Sequence, residues 1–505
     1  MHHVRGQNRD QIRMLSLNTM VEEDGMVRVI DAFVDMLNLK EFNFSYFNLN
    51  IEGRPPFHPS TMIKIYFYGY QNGIRSCREL ERACRLNIEM MWLVNEQRPH
   101  YKTIANFRKD NSKAFKEVFR YFVAMLKEWK LIDGKTIGID SFKIRAQNSL
   151  KNNFNERKVK RHLAYIDHKI AEYEQVLEQS EDESIQTKLE HQIAKRNTYE
   201  NIRTQLQLSG DGQLSTTDPE SKAVVFQRNS VKVGYNIQAA SDAKHKLLIA
   251  ADTGDVNDTK ALSVMVKKTQ ENIGKAGMRL NILADKGYHS GRELKACEAL
   301  GVKTYISPKA SSSSKQKTSY AMDKFKYYPR TDTYECPAGV RLQTNGHWYS
   351  KHLKNGRQSY QVKHYKTKSC QGCILRSACT TNKLGRVIER TEYAAYIERN
   401  NRRVNKNPDY YRQRQQIIEH QFGTLKRHKH FDYTLMRGKD HVLSEVYISF
   451  TMYNLKRSVS ILGVRELLKR LKALIHCICV KLKLTSVTVL VRSIVFFEHT
   501  ELRRA

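Results

Sequence analysis

Three acidic residues are placed where carboxylates could bind divalent metal ions. Asp140 lies in a predicted strand, Asp285 follows a short apolar strand, and Glu419 lies in a basic helical segment, RQRQQIIEHQFGTLKRHKH. Residues 401–430 contain eight Lys and Arg but only two acids, Asp409 and Glu419. An acid held among phosphate-binding cations indicates a metal ion that bridges it to a polyanion. Taken singly, each Asp is more often a turn or cap residue than a metal ligand.

Alternating and apolar patterns around the two aspartates predict an α/β layer. The predicted elements are a strand at Thr136 to Ile144, a hairpin of Val231 to Ala240 and Lys246 to Ala251, a helix at Asp258 to Ile273, a strand at Leu280 to Ala284, a helix at Ser290 to Leu300 and a strand at Thr304 to Ser307. The order β, ββ, α, β, α, β predicts a mixed sheet, with sites at the carboxyl ends of its strands. The other acids of this region are interpreted as structural: Asp133, Asp242, Asp252, Asp255 and Asp258.

Residues 8–120 show helical periodicity. Ser76 to Glu79 forms a capping-box pattern that opens a helix ending near Leu86, and a second helix starts near Thr103. This pair resembles a helix-turn-helix, although such helix pairs are also common in protein cores. On this hypothesis Arg108 and Lys109, on the second helix, contact DNA.

Two insertions interrupt the α/β pattern. Residues 158–206 have apolar positions at helical spacing among many Glu, Gln and Lys, which predicts a helical hairpin that turns near Ser180 to Ser184. We favour a solvated spacer without chemistry for this hairpin. The second insertion, about 308–408, is rich in Tyr, Lys, Ser and Thr. It holds Trp348, for which core packing is favoured over contact with a DNA base.

The net charge of the chain indicates which classes of partner it binds. The 505 residues carry a formal net charge of +34, which favours nucleic acid or an anionic membrane as the partner, and nucleic acid more strongly. The N-terminus is polar, so no secretion signal is expected. The most apolar tract, Leu474 to Phe497, is broken by charged residues and falls short of the ~18 apolar residues of a membrane span. We therefore expect a soluble, cytoplasmic protein without membrane contact.

The second insertion also contains a cysteine cluster. Its members are Cys336, Cys370, Cys373 and Cys379. One C-x-x-C pair with two further cysteines is compatible with a structural Zn²⁺ site, and reduced thiols in a small β subdomain are the alternative.

The chain resembles the DDE transposases of bacterial insertion sequences, in the branch with a large insertion before the Glu and a Tyr-Arg-Glu-Lys signature. Between Asp285 and Glu419 there are 133 residues, and Lys426 follows Glu419 with six residues between. Arg414 lies five positions before Glu419, one more than the family spacing, and Tyr411 lies three before Arg414. Blocks at Gly53 to Glu81, Val233 to Asp242 and Glu445 to Arg457 also resemble these transposases.

The resemblance implies an RNase H-like core with a mixed five-stranded sheet. It also implies that Asp140 bridges two Mg²⁺ (or Mn²⁺) ions while Asp285 and Glu419 each hold one. Lys426, Arg414 and Tyr411 would bind DNA beside the cut, and the basic helix adds Arg412 and Arg427 as DNA contacts. The implied partners are double-stranded DNA, as element ends and as target, and further copies of the chain in a homodimer or larger assembly near the nucleoid.

The expected organisation has five parts. These are a helical DNA-binding domain (1–130), the first part of the catalytic core (131–307), the cysteine insertion (308–408), the end of the core with the Glu helix (409–460) and an unassigned tail (461–505). The expected function is metal-dependent cleavage of insertion-sequence ends and strand transfer into target DNA. The alternatives are a transposase-derived DNA-binding protein that no longer cuts and a nuclease that cuts without joining.

Overall fold

The computed structural model describes residues 14–47, 55–179, 182–226, 229–274, 279–308, 320–352 and 359–474. Its helices are α1 (Leu17–Met20), α2 (Met26–Asp35), α3 (Pro59–Gln71), α4 (Cys77–Leu86), α5 (Ile88–Leu93), α6 (Tyr101–Asp110), α7 (Ser112–Glu128), α8 (Glu156–Leu177), α9 (Glu183–Ser209), α10 (Leu262–Asn272), α11 (Gly291–Ala299), α12 (Arg376–Cys379), α13 (Ala394–Lys406), α14 (Pro408–Gly423) and α15 (Lys439–Leu462). A π-helical turn, Thr424–His428, follows α14, and residues 464–474 are also helical.

The strands fall into a central sheet and smaller sheets. They are β1 (Thr136–Arg145), β2 (Asn153–Phe154), β3 (Leu214–Ser215), β4 (Lys222–Val225), β5 (Val231–Asp242), β6 (Leu248–Gly254), β7 (Asn281–Ala284), β8 (Lys303–Ile306), β9 (Lys326–Tyr328), β10 (Thr333–Glu335), β11 (Arg341–Leu342), β12 (Tyr349–His352), β13 (Ser359–Tyr365) and β14 (Ile388–Thr391).

The central sheet has the order β6, β5, β1, β7, β8, and β4 pairs with the first part of β5 on the same side as β6. β1 is antiparallel to β5 and parallel to β7, and β7 is parallel to β8. This is an RNase H-like mixed sheet, as the sequence predicts. The short strand β4 was not anticipated.

The N-terminal helices and the central sheet share one hydrophobic core. The buried residues of this core extend along the chain from Val21 to Leu471. Ser76 precedes α4 as predicted but makes no side-chain capping bond, and the unpredicted helix α5 lies between α4 and α6. At the junction with α15, the guanidinium of Arg75 lies 2.8 Å from the carboxylate of Glu445, and both side chains are buried. A buried ion pair of this kind is costly to break, so the two regions are tightly joined.

The two insertions have separate small cores. Helices α8 and α9 form the predicted hairpin, whose buried residues include Leu163 and Leu206. The cysteine insertion contains the sheets β11-β10-β9 and β12-β13-β14, packed around buried Tyr334 and Tyr365.

Among the residues described, no helix is both long and apolar enough to cross a membrane. The expectations for Leu474 to Phe497 fall almost entirely outside the described residues, because these end at 474.

Candidate active site

The helix that carries Glu419, α14, lies directly against β1. A Cβ atom on Gly138 would lie only 2.8 Å from Cγ2 of Ile417, so glycine permits this close approach. Ile417 and Ile418 are both buried under the helix. At the start of α14, the hydroxyl of Tyr410 lies 2.7 Å from Oγ1 of Thr136 and accepts a hydrogen bond from the Asn281 amide. These contacts fix the helix over the strand that carries Asp140.

Asp140 and Asp285 lie at the same level of neighbouring strands. Ile139 pairs with Ala284 in the parallel register of β1 and β7, so the next residue of each strand is an aspartate. Neighbouring strands are about 4.8 Å apart, which places the two residues side by side. Asp285 accepts a hydrogen bond from the backbone N–H of Gly287 at 2.7 Å. It therefore caps a short 3-10 turn as well as facing the site.

Arg414 connects Asp140 to Glu419. Its guanidinium lies 2.9 Å from Oδ2 of Asp140 and 3.1 Å from Oε1 of Glu419. The side chain of Arg414 is 13% exposed, that of Asp140 18% and that of Glu419 48%. The three groups thus form an ion-paired chain that runs from the half-buried sheet surface to solvent. The five-residue spacing before Glu419, one longer than the family signature, still brings Arg414 onto both acids.

A fourth acid, Asp258, belongs to the same site and was interpreted from the sequence as structural. Oδ1 of Asp258 accepts hydrogen bonds from the side-chain amides of Asn236 (2.8 Å) and Gln238 (2.7 Å). A Cβ atom on Gly287 would lie 2.8 Å from Oδ1 of Asp285 and 3.4 Å from Oδ2 of Asp258, so both carboxylates border this glycine. The one signal in the sequence for a role of Asp258 in this site is its position between the end of β6 and α10. Acids in turns at such positions are common, so this signal is weak.

The electrostatics of Asp140 reflect this crowding. The pKa of Asp140 is raised to about 6, chiefly by burial, and the charges of Asp285 and Asp258 contribute to the rise. The backbone N–H of Ser141 and the guanidinium of Arg414 oppose this rise. A carboxyl with a raised pKa beside other acids is typical of a functional site.

The donor atoms of the site are carboxylate oxygens, the ligands that Mg²⁺ and Mn²⁺ prefer. Within the described ranges, no group of three or more His, Cys, Asp or Glu side chains is arranged to hold a metal ion. Arg414 lies between Asp140 and Glu419 and supplies a positive charge there. The donor set fits such an ion in chemistry, and Glu419 is exposed enough to approach it.

The predicted DNA-binding residues of the basic helix lie around this site. The ammonium of Lys426, in the π-helical turn, lies 5.6 Å from the ring centre of Phe142. Residues 140 and 142 share one face of β1, so Lys426 lies on the face of Asp140. Burial and the charge of Lys143 lower the pKa of Lys426.

Three further predicted contacts differ in exposure. Tyr411 is half-buried. Burial acts to lower the pKa of Arg414, but nearby groups, Tyr411 among them, outweigh burial and raise that pKa. Arg412 and Arg427 are exposed, and Arg412 pairs with Asp409 at 3.0 Å. These exposed cations are accessible to a polyanion.

The prediction that Arg108 contacts DNA is wrong. Arg108 is 5% exposed, and its guanidinium donates a hydrogen bond to the hydroxyl of Tyr70 at 3.1 Å. It lies 5.4 Å from the ring centre of Tyr66. The side chain of Arg108 lies on the face of α6 that packs against the core. The sequence does not indicate this, because basic residues on such helices are usually at the surface. Lys109, the next residue, is exposed.

The four cysteines of the insertion line one small pocket together with Arg376 and Arg386. Cys370 approaches Gly385 closely, since a Cβ atom on this glycine would lie 2.6 Å from Cβ of Cys370. All four are free thiols. The four cysteines of the motif therefore lie close together in space, although their thiols are not arranged as the ligands of a metal ion.

Trp348 does not pack in a core, contrary to the expectation. It is 47% exposed, and the ammonium of Lys363 lies 5.1 Å from the centre of its ring.

Comparisons with known proteins support these observations. Residues 15–110 match the family described as Transposase domain (DUF772), and residues 335–459 match the Transposase DDE domain, which includes Glu419. No curated protein matches the chain. A solved structure, described as a piggyBac transposase synaptic complex with hairpin DNA, is 10% identical, covers 90% of this chain and 79% of its own, and has a TM-score of 0.33. These two matched domains support a DDE-type transposase.

Proposed function

We propose that the protein cuts the ends of an insertion sequence and joins them to target DNA in a reaction that requires Mg²⁺ or Mn²⁺. The observation that carries the proposal is the contact of Arg414 with both Asp140 and Glu419, beside Asp285. This arrangement links the acids of β1 and α14 in one site, under a basic helix suited to DNA.

Asp140, Asp285 and Glu419 are the proposed metal ligands. Together these three carboxylates would hold the ions. When bound, two such ions activate a water or a DNA 3′-hydroxyl and stabilise the leaving oxygen. Without them, close carboxylates repel one another and take up protons, and Arg414 compensates part of that repulsion.

The surrounding cations hold the DNA in this proposal. Arg414 would contact a phosphate oxygen of the DNA, because its guanidinium can accommodate a carboxylate or a phosphate. Lys426 positions the phosphate beside the cut, Arg412 and Arg427 bind the flanking backbone, and Tyr411 packs beside Arg414. Lys109 contributes from the N-terminal helices, which we propose recognise the element end.

The assembly that acts is a homodimer or larger, because two ends of one element must be brought together. We place it on DNA in the cytoplasm. The cysteine pocket is proposed to hold one structural Zn²⁺, which would stiffen the insertion that precedes α13 and α14.

The test replaces each proposed ligand by its uncharged counterpart: Asp140→Asn, Asp285→Asn and Glu419→Gln. Each change removes a charge with little change in volume, so DNA binding should persist while cleavage and strand transfer fall by several orders of magnitude. Asp133→Asn is the control, because Asp133 pairs with Lys135 outside the site. Asp242 is unsuitable as a control, because it is buried and accepts backbone hydrogen bonds from Gly134 and Lys244. Full cleavage by Glu419→Gln would remove the third ligand from the proposal.

A further inference from the structure

A second pocket lies where α14, the π-helical turn and α15 meet. Its volume is about 210 Å³. The side chains that matter for its chemistry are His420, Thr424, Lys429, Tyr453, Lys456 and Arg457. His420 directly follows Glu419, so the pocket begins on the same helix as the proposed active site.

The pocket has a positive lining. Lys429, Lys456 and Arg457 contribute three cations, and no carboxylate lines it. Glu445 lies behind the lining residue Tyr70, whose hydroxyl donates to it at 3.4 Å, but Glu445 is already paired with Arg75. Within the described part of the chain, none of the three lining cations forms an ion pair with an acid.

The backbone contacts of these cations leave their charges uncompensated. The ammonium of Lys429 donates a hydrogen bond to the backbone oxygen of Gln71, and Nε of Arg457 donates to the backbone oxygen of His245 at 3.0 Å. Burial and the charge of Lys456 lower the pKa of Lys429 to about 8. Two cations held together without an acid destabilise each other, and an anion between them would reverse that effect.

A buried hydroxyl beside the pocket also has no partner. Tyr453 is 7% exposed, and its hydroxyl has no hydrogen-bond partner among the described residues. Six residues earlier on α15, the hydroxyl of Tyr447 donates to the backbone oxygen of Ala251 at 3.1 Å. Buried polar groups are normally satisfied, so the hydroxyl of Tyr453 is a donor available to a ligand.

We propose that this pocket binds a phosphate group, and that its occupant in the working protein is a backbone phosphate of the bound DNA. The inference rests on the proposed function for the source of the phosphate. A strand held at Glu419 presents its neighbouring phosphates along the same helix, and His420 marks the start of the pocket. The pocket would thus hold the strand at a point beyond the cut.

The first arm of the test uses inorganic phosphate and the full-length protein. At constant ionic strength, phosphate should raise the melting temperature of the wild type relative to chloride, since a ligand of the folded state stabilises it. Lys456→Gln should lose this shift. Lys469→Gln is the matched control, because Lys469 is an exposed lysine that does not line the pocket, and it should retain the shift.

A tyrosine pair separates ligand binding from folding. Tyr453→Phe removes a hydroxyl without a partner, so it should leave the stability in chloride unchanged or higher and reduce the shift caused by phosphate. Tyr447→Phe removes a satisfied hydroxyl, so it should lower the melting temperature in chloride and keep the phosphate shift.

The second arm measures DNA affinity against salt concentration. Lys456→Gln should reduce the slope of log affinity against log salt by about 1, and Lys469→Gln should not. A phosphate shift without a change in slope would overturn the DNA backbone as the source and leave a site for free phosphate. Absence of any phosphate shift in the wild type would overturn the pocket itself. Neither arm measures cleavage, so failure of the proposed reaction cannot imitate these results.

Discussion

Arg414 donates to Asp140 across 2.9 Å and joins the strand of the first acid to the helix of the third. A guanidinium has several donors in a fixed plane, which lets it contact two carboxylates at once. Arg414 therefore holds Glu419 over the sheet.

Replacing Arg414 should slow the reaction strongly. Arg414→Gln removes the cation that connects Asp140 and Glu419, and we expect single-turnover cleavage to fall by about 100-fold, as on loss of one group that stabilises developing charge. Arg414→Lys should recover little, because an ammonium lacks the planar fork. Arg402→Gln is the control, since Arg402 is an exposed arginine on α13. Equal effects at both positions would contradict a special role for Arg414.

Asp258 should act as a positioning residue beside Asp285. Asp258→Asn keeps the size but loses the charge that borders Gly287, and we expect the affinity for Mn²⁺, measured by calorimetry, to fall about 10-fold to 100-fold. Asp255→Asn is the matched control, because Asp255 pairs with Lys222 away from the acids. If both variants bind Mn²⁺ like the wild type, Asp258 only ties the loop to Asn236 and Gln238.

The raised pKa of Asp140 makes a prediction about stability. The folded state binds a proton at Asp140 more tightly than the unfolded state, in which the pKa has its ordinary value of 3.8. The ionised carboxylate therefore destabilises the metal-free fold above pH 6, and this penalty vanishes as the pH falls towards 4. A rise of the pKa from 3.8 to about 6 corresponds to about 3 kcal/mol.

Asp140→Asn should accordingly increase the free energy of unfolding in chelator at pH 8, and the gain should shrink below pH 6. Urea unfolding at several pH values measures this dependence. A variant that is less stable than the wild type at pH 8 would show that the contact with Arg414 outweighs burial.

The cysteine pocket gives a metal prediction that is independent of catalysis. Protein purified without chelator should contain about one zinc ion per chain if the four thiols are ligands. Cys373→Ser should abolish zinc retention, and Cys77→Ser, outside the pocket, should not. Metal-free protein with four freely reactive thiols in the insertion would establish a reduced-cysteine cluster instead.

The order of the core elements was predictable because each has a strong local pattern, such as the alternation in β1 or the apolar strand before Asp285. Contacts between segments that are far apart in the chain leave no such local pattern in the sequence. Arg108 is of a residue type that usually lies at the surface. Only the folded chain brings Tyr70 and Tyr66 against it. Asp258 lies 27 positions before Asp285 and meets it through the sheet topology, which no spacing within one segment indicates.

The buried pair of Arg75 and Glu445 has a consequence for shortened forms of the protein. A chain that ends before α15 would keep Arg75 inside without its carboxylate and would expose the faces of α3 and α7 that α15 covers. Such a fragment would unfold rather than survive as a separate DNA-binding piece. On the proposed function, premature termination would therefore yield no shortened chain that competes with the intact protein for DNA.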